Sequence, residues 1–174
     1  MTALGAATAS STDEIAAGLE KFAAVSNTVG LSYEYATSAL ATVTATTRQS
    51  ADVVGTAFKT LFARIQDLEL GKTLEDGTTL GKYSQALETV GVSIKDANGG
   101  LRDMDDILSD LGEKWNSFDA EGNPLISKDA KVALAQTVAG VRQYTQLIAL
   151  MDNWDFMKEN LETARNATGT LNEQ

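Results

Sequence analysis

The chain has 174 residues, 43% of them hydrophobic, and a formal net charge of −10. That is enough apolar material for a core and argues against wholesale disorder, while the acidity argues against a nucleic-acid surface, which needs clustered Lys and Arg. The sequence contains neither Cys nor His, which removes disulfides, Cys/His zinc sites and thiol or Ser-His catalysis; a carboxylate-only metal site or acid–base pair is what remains.

No basic segment precedes an apolar stretch at the N-terminus, so no secretory signal is read. No run of about 18 apolar residues occurs, so no membrane span is expected in this region. The single proline, Pro124, favours long helices, because proline is their strongest local breaker. Residues 1–10 are small and polar and read as a flexible N-terminus.

Ser11 and Glu14 have capping-box spacing, and Ile15, Leu19 and Phe22 then step along one helical face. Gly30 can supply the left-handed cap that ends this helix. Ser32 opens a second helix to about Thr46. Its stripe is weak (Ala36, Ala39, Leu40, Val43), and its β-branched residues lower helix propensity. Ser50 opens a third, with the clearest stripe in the chain: Val54, Phe58, Leu61, Phe62, Ile65 and Leu68. Arg64 and Asp67 fall on the other side of it. Residues 72–81 read as a loop with a turn at Asp76-Gly77. A short helix follows over 82–90, stopped by Gly91.

Val92 to Lys95 then alternate apolar and polar, Asn98-Gly99-Gly100 is a strong turn signal, and Leu101-Arg102 begin a return strand. The spacing predicts a small β-hairpin at about 92–102, resting on the helices. The aspartates that follow read as a helix start: Asp103 as cap, Asp105 and Asp106 in the first turn, where the helix dipole favours negative charge. Ile107, Leu108, Leu111 and Trp115 form its buried face. Residues 103–121 carry seven acids against one base, a net −6. Residues 117–127 form a loop. Further helical runs begin at Ser127 or Lys128 and continue past Gly140, where the chain either kinks or turns. A last amphipathic helix carries Trp154, Phe156, Met157 and Leu161, opens at Asp152 or Asn153, and frays from about Gly169, leaving 170–174 as a frayed C-terminus. The expectation is a mainly α, multi-helix module of amphipathic helices over residues 11–169 with one small β-hairpin.

Chemistry is thinly written. Asp119, Glu121, Asn123 and Ser127 stand at places one, three, five and nine of a calcium loop. The sixth place holds Pro124 instead of Gly and the twelfth holds Ala130 instead of Glu, so the pattern fails where it matters. Asp105 and Asp106 are adjacent on a helix, pointing about 100° apart, and do not converge on one atom. No phosphate-binding loop, nucleophile elbow or metalloprotease motif occurs. The reading is therefore no enzyme: no catalytic, cofactor-binding or metal-binding residue is assigned. Arg142, beside the Gly140 break, is a cap or surface ion pair, or an interface anchor. Trp115 and Trp154 are expected in the core.

Three stretches, taken in order, carry a resemblance: GTAFKTLFARIQDL, LETVGVSIKDANGGLRDMDDILSDLGEKWNSF and KDAKVALAQTVAGVRQYTQLIALMDNW. Together they resemble the conserved core region of phage tail tape measure proteins, over roughly Ser11 to Gly169. Members of that family are commonly far longer, so the chain resembles a fragment or truncated form. The resemblance implies a structural protein of phage tail assembly that helps set tail length and organise tube assembly. It would be made in the host cytoplasm and lie in the virion, in the tail tube lumen. Implied partners are the tail tube protein, tail tip or tail assembly chaperone proteins and further copies of itself, with no specific nucleic-acid binding and no cofactor. The alternative is a helical protein–protein interaction module, an adaptor with no virion role.

Overall fold

The computed structural model describes residues 11–173, with side chains to residue 167. The segment 1–10, read above as flexible, and Gln174 lie outside these residues. Eight helices follow in order: α1 Thr12–Thr28, α2 Tyr33–Thr47, α3 Ala51–Glu69, α4 Leu80–Thr89, α5 Met104–Trp115, α6 Lys128–Ala139, α7 Tyr144–Asp152 and α8 Trp154–Glu173.

The starts obey local chemistry. Ser11, Ser32, Ser50, Thr79 and Ser127 each accept a hydrogen bond from the backbone N–H three residues on, satisfying a donor the helix leaves orphaned. At the far end of α1, Gly30 has φ +79° and Leu31 N–H returns to Ser26 O at 2.9 Å, the closure expected of a left-handed glycine cap.

Helices α1 and α3 make the most extensive contact in the fold. They approach through glycine: a Cβ on Gly55 would collide with the Gly18 carbonyl, and one on Gly18 with Ala51 O. Beside this crossing Phe22, Phe58 and Phe62 cluster, with ring centroids 5.4–6.2 Å apart, and each is buried. Burying one such ring is worth about 1.5–3 kcal/mol.

Helix α2 departs from its weak stripe. Ten consecutive residues, Tyr35 to Thr44, are buried, so the helix is enclosed on every side. A polar helix tolerates this because its hydroxyls bond backwards along the same helix. Thr37 donates to Tyr33 O, Ser38 to Glu34 O and Thr42 to Ser38 O, at 2.6–2.7 Å. Helix α8 covers one flank, where Asn160 Nδ2 donates to Thr42 Oγ1 at 2.9 Å.

The predicted β-hairpin is not there: the described residues contain no strand, and 92–102 hold a single bridge, Lys95 to Leu101. The turn itself forms. Asp96 N–H donates to Gly100 O at 2.8 Å and Gly99 N–H to Asp96 O at 3.1 Å. The ladder has no residues left on either side. Upstream, the Ser93 hydroxyl bonds both the N–H and the carbonyl of Lys95 and bends the chain. Downstream, Asp103 already begins α5. Val92 and Ile94 are buried, so the alternation of apolar residues is real but serves a docked loop.

Gly140, at φ +88° and ψ 161°, ends α6, and residues 141–143 form a turn before α7; the chain turns here and does not run on as one kinked helix. Only Asn153 separates α7 from α8. Its side chain donates to Ala149 O at 2.8 Å, closing α7 while its carbonyl accepts from Met157 N–H. Trp115 and Trp154, 0% and 3% exposed, are core residues as expected. Each indole N–H is satisfied, by Asp152 at 2.8 Å and Glu113 at 3.2 Å. No helix of the described residues is long and apolar enough to cross a membrane.

Candidate functional site

The features singled out in the sequence lie mainly in the segment between α3 and α7. Its aspartates have separate tasks. Asp103 caps α5 by position but makes no side-chain cap bond; its carboxylate instead packs over Gly30, where any Cβ would strike it. Asp105 reaches across to α2: Ser32 N–H donates to its Oδ1 at 3.1 Å. In return Met104 and Asp105 N–H donate to the carbonyls of Val29 and Gly30, at 2.9 and 3.2 Å. The start of α5 thus supplies donors to the end of α1 and an acceptor to the start of α2. Asp110 pairs with Arg102 at 3.3 Å and Lys114 at 3.0 Å. Asp106 is exposed, so the adjacent pair Asp105 and Asp106 serves two different surroundings.

This junction perturbs its acids. Burial raises the Asp105 carboxyl above its ordinary value, against the lowering effect of the Ser32 hydrogen bonds. Glu69, the last residue of α3, is pushed up to about 7, by burial first and by the neighbouring Asp103 second.

The calcium-like loop resolves into something else. Asp119 Oδ1 accepts from the backbone N–H of Glu121 and of Asn123, each at 2.9 Å. Its carboxylate is the clasp of a turn. Among the described residues no three carboxylates stand close enough to hold a metal ion.

That turn has a twin. Asp96 Oδ1 accepts from Asn98 and Gly100 N–H, also at 2.9 Å. Asp119 N–H donates to Asn123 O at 2.8 Å and Gly122 N–H to Asp119 O at 3.1 Å, the values found at 96–100. Gly99 and Gly122 have φ +82° and +85°, a conformation that admits glycine readily. Residues 74–78 repeat the backbone pattern, with Gly77 at φ +85° and Asp76 accepting from Thr78 N–H. All three have the bonding of a three-residue hairpin loop closed by a glycine bulge, and each leads into a helix. The shared Asp-Ala-X-Gly text at 96–99 and 119–122 was the signal that the sequence reading passed over.

Arg64 is not on an outer face. Its side chain is 13% exposed and bonds Asp76 at 2.9 Å, Thr78 Oγ1 at 3.0 Å and Thr137 O at 3.0 Å. It fastens α3 to the 74–78 turn and to α6. Beside it runs an open groove of about 680 Å³ past Gly140, Val141 and Arg142. Arg142 is exposed there.

No solved structure matches the chain. The family model described as phage-related minor tail protein matches residues 1–140, which takes in α1 to α6 and all three turns. On that match the chain belongs to the phage-related minor tail protein family, and its class is that of a helical phage tail structural protein, a component of the virion.

Proposed function

We propose that this module is the core region of a tape measure protein, acting without covalent chemistry to help set tail length and organise tube assembly in the tail tube lumen. The observation behind the reading is that the three stretches carrying the resemblance meet in one core. Phe58, Leu61 and Ile65 come from the first, Leu108, Leu111 and Trp115 from the second, and Leu134, Leu147 and Trp154 from the third. Membership of a tail protein family supports a place in the virion. The partners we propose are the tail tube protein, a tail tip or tail assembly chaperone protein, and further copies of the chain.

The compactness of the module favours an organising role within that function. Its longest helix has 20 residues, about 30 Å, whereas residues 11–169 as one straight helix would span roughly 240 Å. Deleting the codons for 11–169 in frame in the parent phage and imaging tails by electron microscopy tests this. Loss of tails is expected. Tails shorter by roughly 240 Å would make the segment an extended ruler. Normal tails with normal infectivity would overturn the tail role in favour of an adaptor.

A further inference from the structure

The three turns differ at one place that matters for chemistry. The residue before the bulge glycine is Asp76 in the first, Asn98 in the second and Glu121 in the third. Of the chain's eight asparagines, Asn98 alone precedes a glycine. A glycine carries no side chain to shield its backbone nitrogen, and from Gly99 that nitrogen can close a five-membered ring on the Asn98 side-chain carbonyl carbon. The sibling turns are barred from this. Asp76 is a carboxylate paired with Arg64 at 2.9 Å and accepting from Thr78 N–H, so it offers no leaving group. Glu121 would need a six-membered ring. Asn98 is exposed, and its side-chain amide makes no hydrogen bond among the described residues. A Cβ on Gly99 would meet open space, so water reaches the site.

The electrophile is free and the nucleophile is not. Gly99 N–H donates to Asp96 O at 3.1 Å, and Asp96 Oδ1 accepts from Asn98 and Gly100 N–H at 2.9 Å each. The peptide unit that must swing toward the amide is thus held from both sides. Attack requires those bonds to break, because reacting atoms must come within about 3–3.5 Å with their orbitals aligned. All of them lie on exposed residues, where local opening is easiest. We infer that Asn98 is a deamidation site gated by the Asp96 turn, held back while the turn is closed and reacting when it opens. On opening, the Gly99 nitrogen gives its proton to water and bonds to the Asn98 side-chain carbon. The bond from that carbon to the amide nitrogen breaks, and ammonia leaves with a proton taken from water. Water then adds to one carbonyl of the succinimide and breaks its C–N bond, giving an aspartate or an isoaspartate. An aspartate fits, since both sibling turns hold an acid at this place. An isoaspartate lengthens the main chain by one carbon inside the turn, which the Asp96 clasp cannot span at its present distances. The loop that buries Val92 and Ile94 then cannot redock as it was. The inference does not rest on the tail reading.

The purified full chain, held in mildly alkaline buffer and sampled over time, tests this. Trypsin cuts after Lys95 and Arg102 and releases the peptide 96–102, whose amide-to-acid mass gain is followed by mass spectrometry. The folded chain should convert at least about tenfold more slowly than a capped synthetic peptide of residues 92–103, the scale of several turn hydrogen bonds. Asp96→Ala should convert roughly fivefold faster than the parent chain, the scale of one lost clasp. Asp119→Ala removes the same clasp from the sibling turn and should leave the Asn98 rate unchanged. Asn98→Glu, the residue of that sibling, should abolish the mass gain with thermal melting unchanged. The chain separated with isoaspartate at position 98 should melt below the parent. Equal rates in chain and peptide would show that the turn exerts no hold. Equal acceleration by the two alanine variants would place the reaction in global unfolding. Either result overturns the gate, as does another asparagine converting as fast as Asn98, or no conversion in both the parent and Asp96→Ala.

Discussion

The crossing of α1 and α3 and the turns at residues 74–78, 96–100 and 119–123 are held by different means. In the first region α1 and α3 touch backbone to backbone at Gly18 and Gly55, and three phenylalanines fill the space beside them. In the second, two short helices are joined by turns whose form comes from aspartates and backbone hydrogen bonds near water. The difference lies in what each region can absorb. Close-packed helices have no room for added atoms, whereas a solvated turn accommodates volume and loses only modest polar contacts when one is removed.

The sharpest way to break this contrast is to add one methyl group in each region. Gly55→Ala drives a Cβ into the Gly18 carbonyl and should cost about 3 kcal/mol or more, read by urea denaturation. Gly81→Ala, in α4, meets no atom nearer than Thr79 Oγ1 at 3.8 Å and should stabilise by up to about 1 kcal/mol. Equal effects would dissolve the distinction. Next in size is Gly112→Ala, where the methyl meets the Trp154 indole. A loss of about 2 kcal/mol with altered tryptophan fluorescence is expected.

Smaller still are Asp96→Ala and Asp119→Ala. Each removes one carboxylate accepting two N–H groups at the same distances. Each should cost about 1 kcal/mol, and the two values should agree within a few tenths. A wide gap would mean the turns share geometry but not energetics.

The smallest effect is one of pH. The Glu69 carboxyl is raised from 4.5 to about 7 in the fold, so the folded chain holds that proton more tightly than the unfolded one. Its favourable contribution is full below about 4.5 and is lost as pH rises through about 7. Denaturation midpoints at pH 5 and pH 8 should differ less in Glu69→Gln than in the parent, with the raised Asp105 carboxyl contributing in the same direction in both.

Helix α3 was legible because its large apolar residues repeat at helical spacing, and all six of its predicted stripe residues are buried. The enclosure of α2 was not. Small residues and threonines give little periodic signal, and what encloses it includes α8, more than a hundred residues further on. The serine caps were readable because a cap is local. The reach of Asp105 to Ser32 and of Arg64 to Thr137, each across 73 residues, was not, because nothing in the neighbouring text encodes it. The turn at 96–100 was read correctly, but its strands were not: alternation over four residues fits a docked loop as well as a ladder. The exposure of Phe118 and Leu125 was not legible either, because both sit in text that reads as a polar loop.

The covering of α2 by α8 has a consequence for synthesis on the ribosome. Thr42 meets Asn160 across 118 residues, which at about 5–20 residues per second is a wait of roughly 6–24 s. Throughout that interval the flank of α2 that α8 will cover stands open to water. A leucine stripe there would invite premature association. Beside Tyr35, whose ring Trp154 will meet, a surface of serine and threonine, with hydroxyls already bonded to carbonyls of their own helix, is comfortable wet and comfortable dry. The composition that hides α2 from a search for amphipathic stripes also keeps the nascent chain unsticky until its last helix arrives.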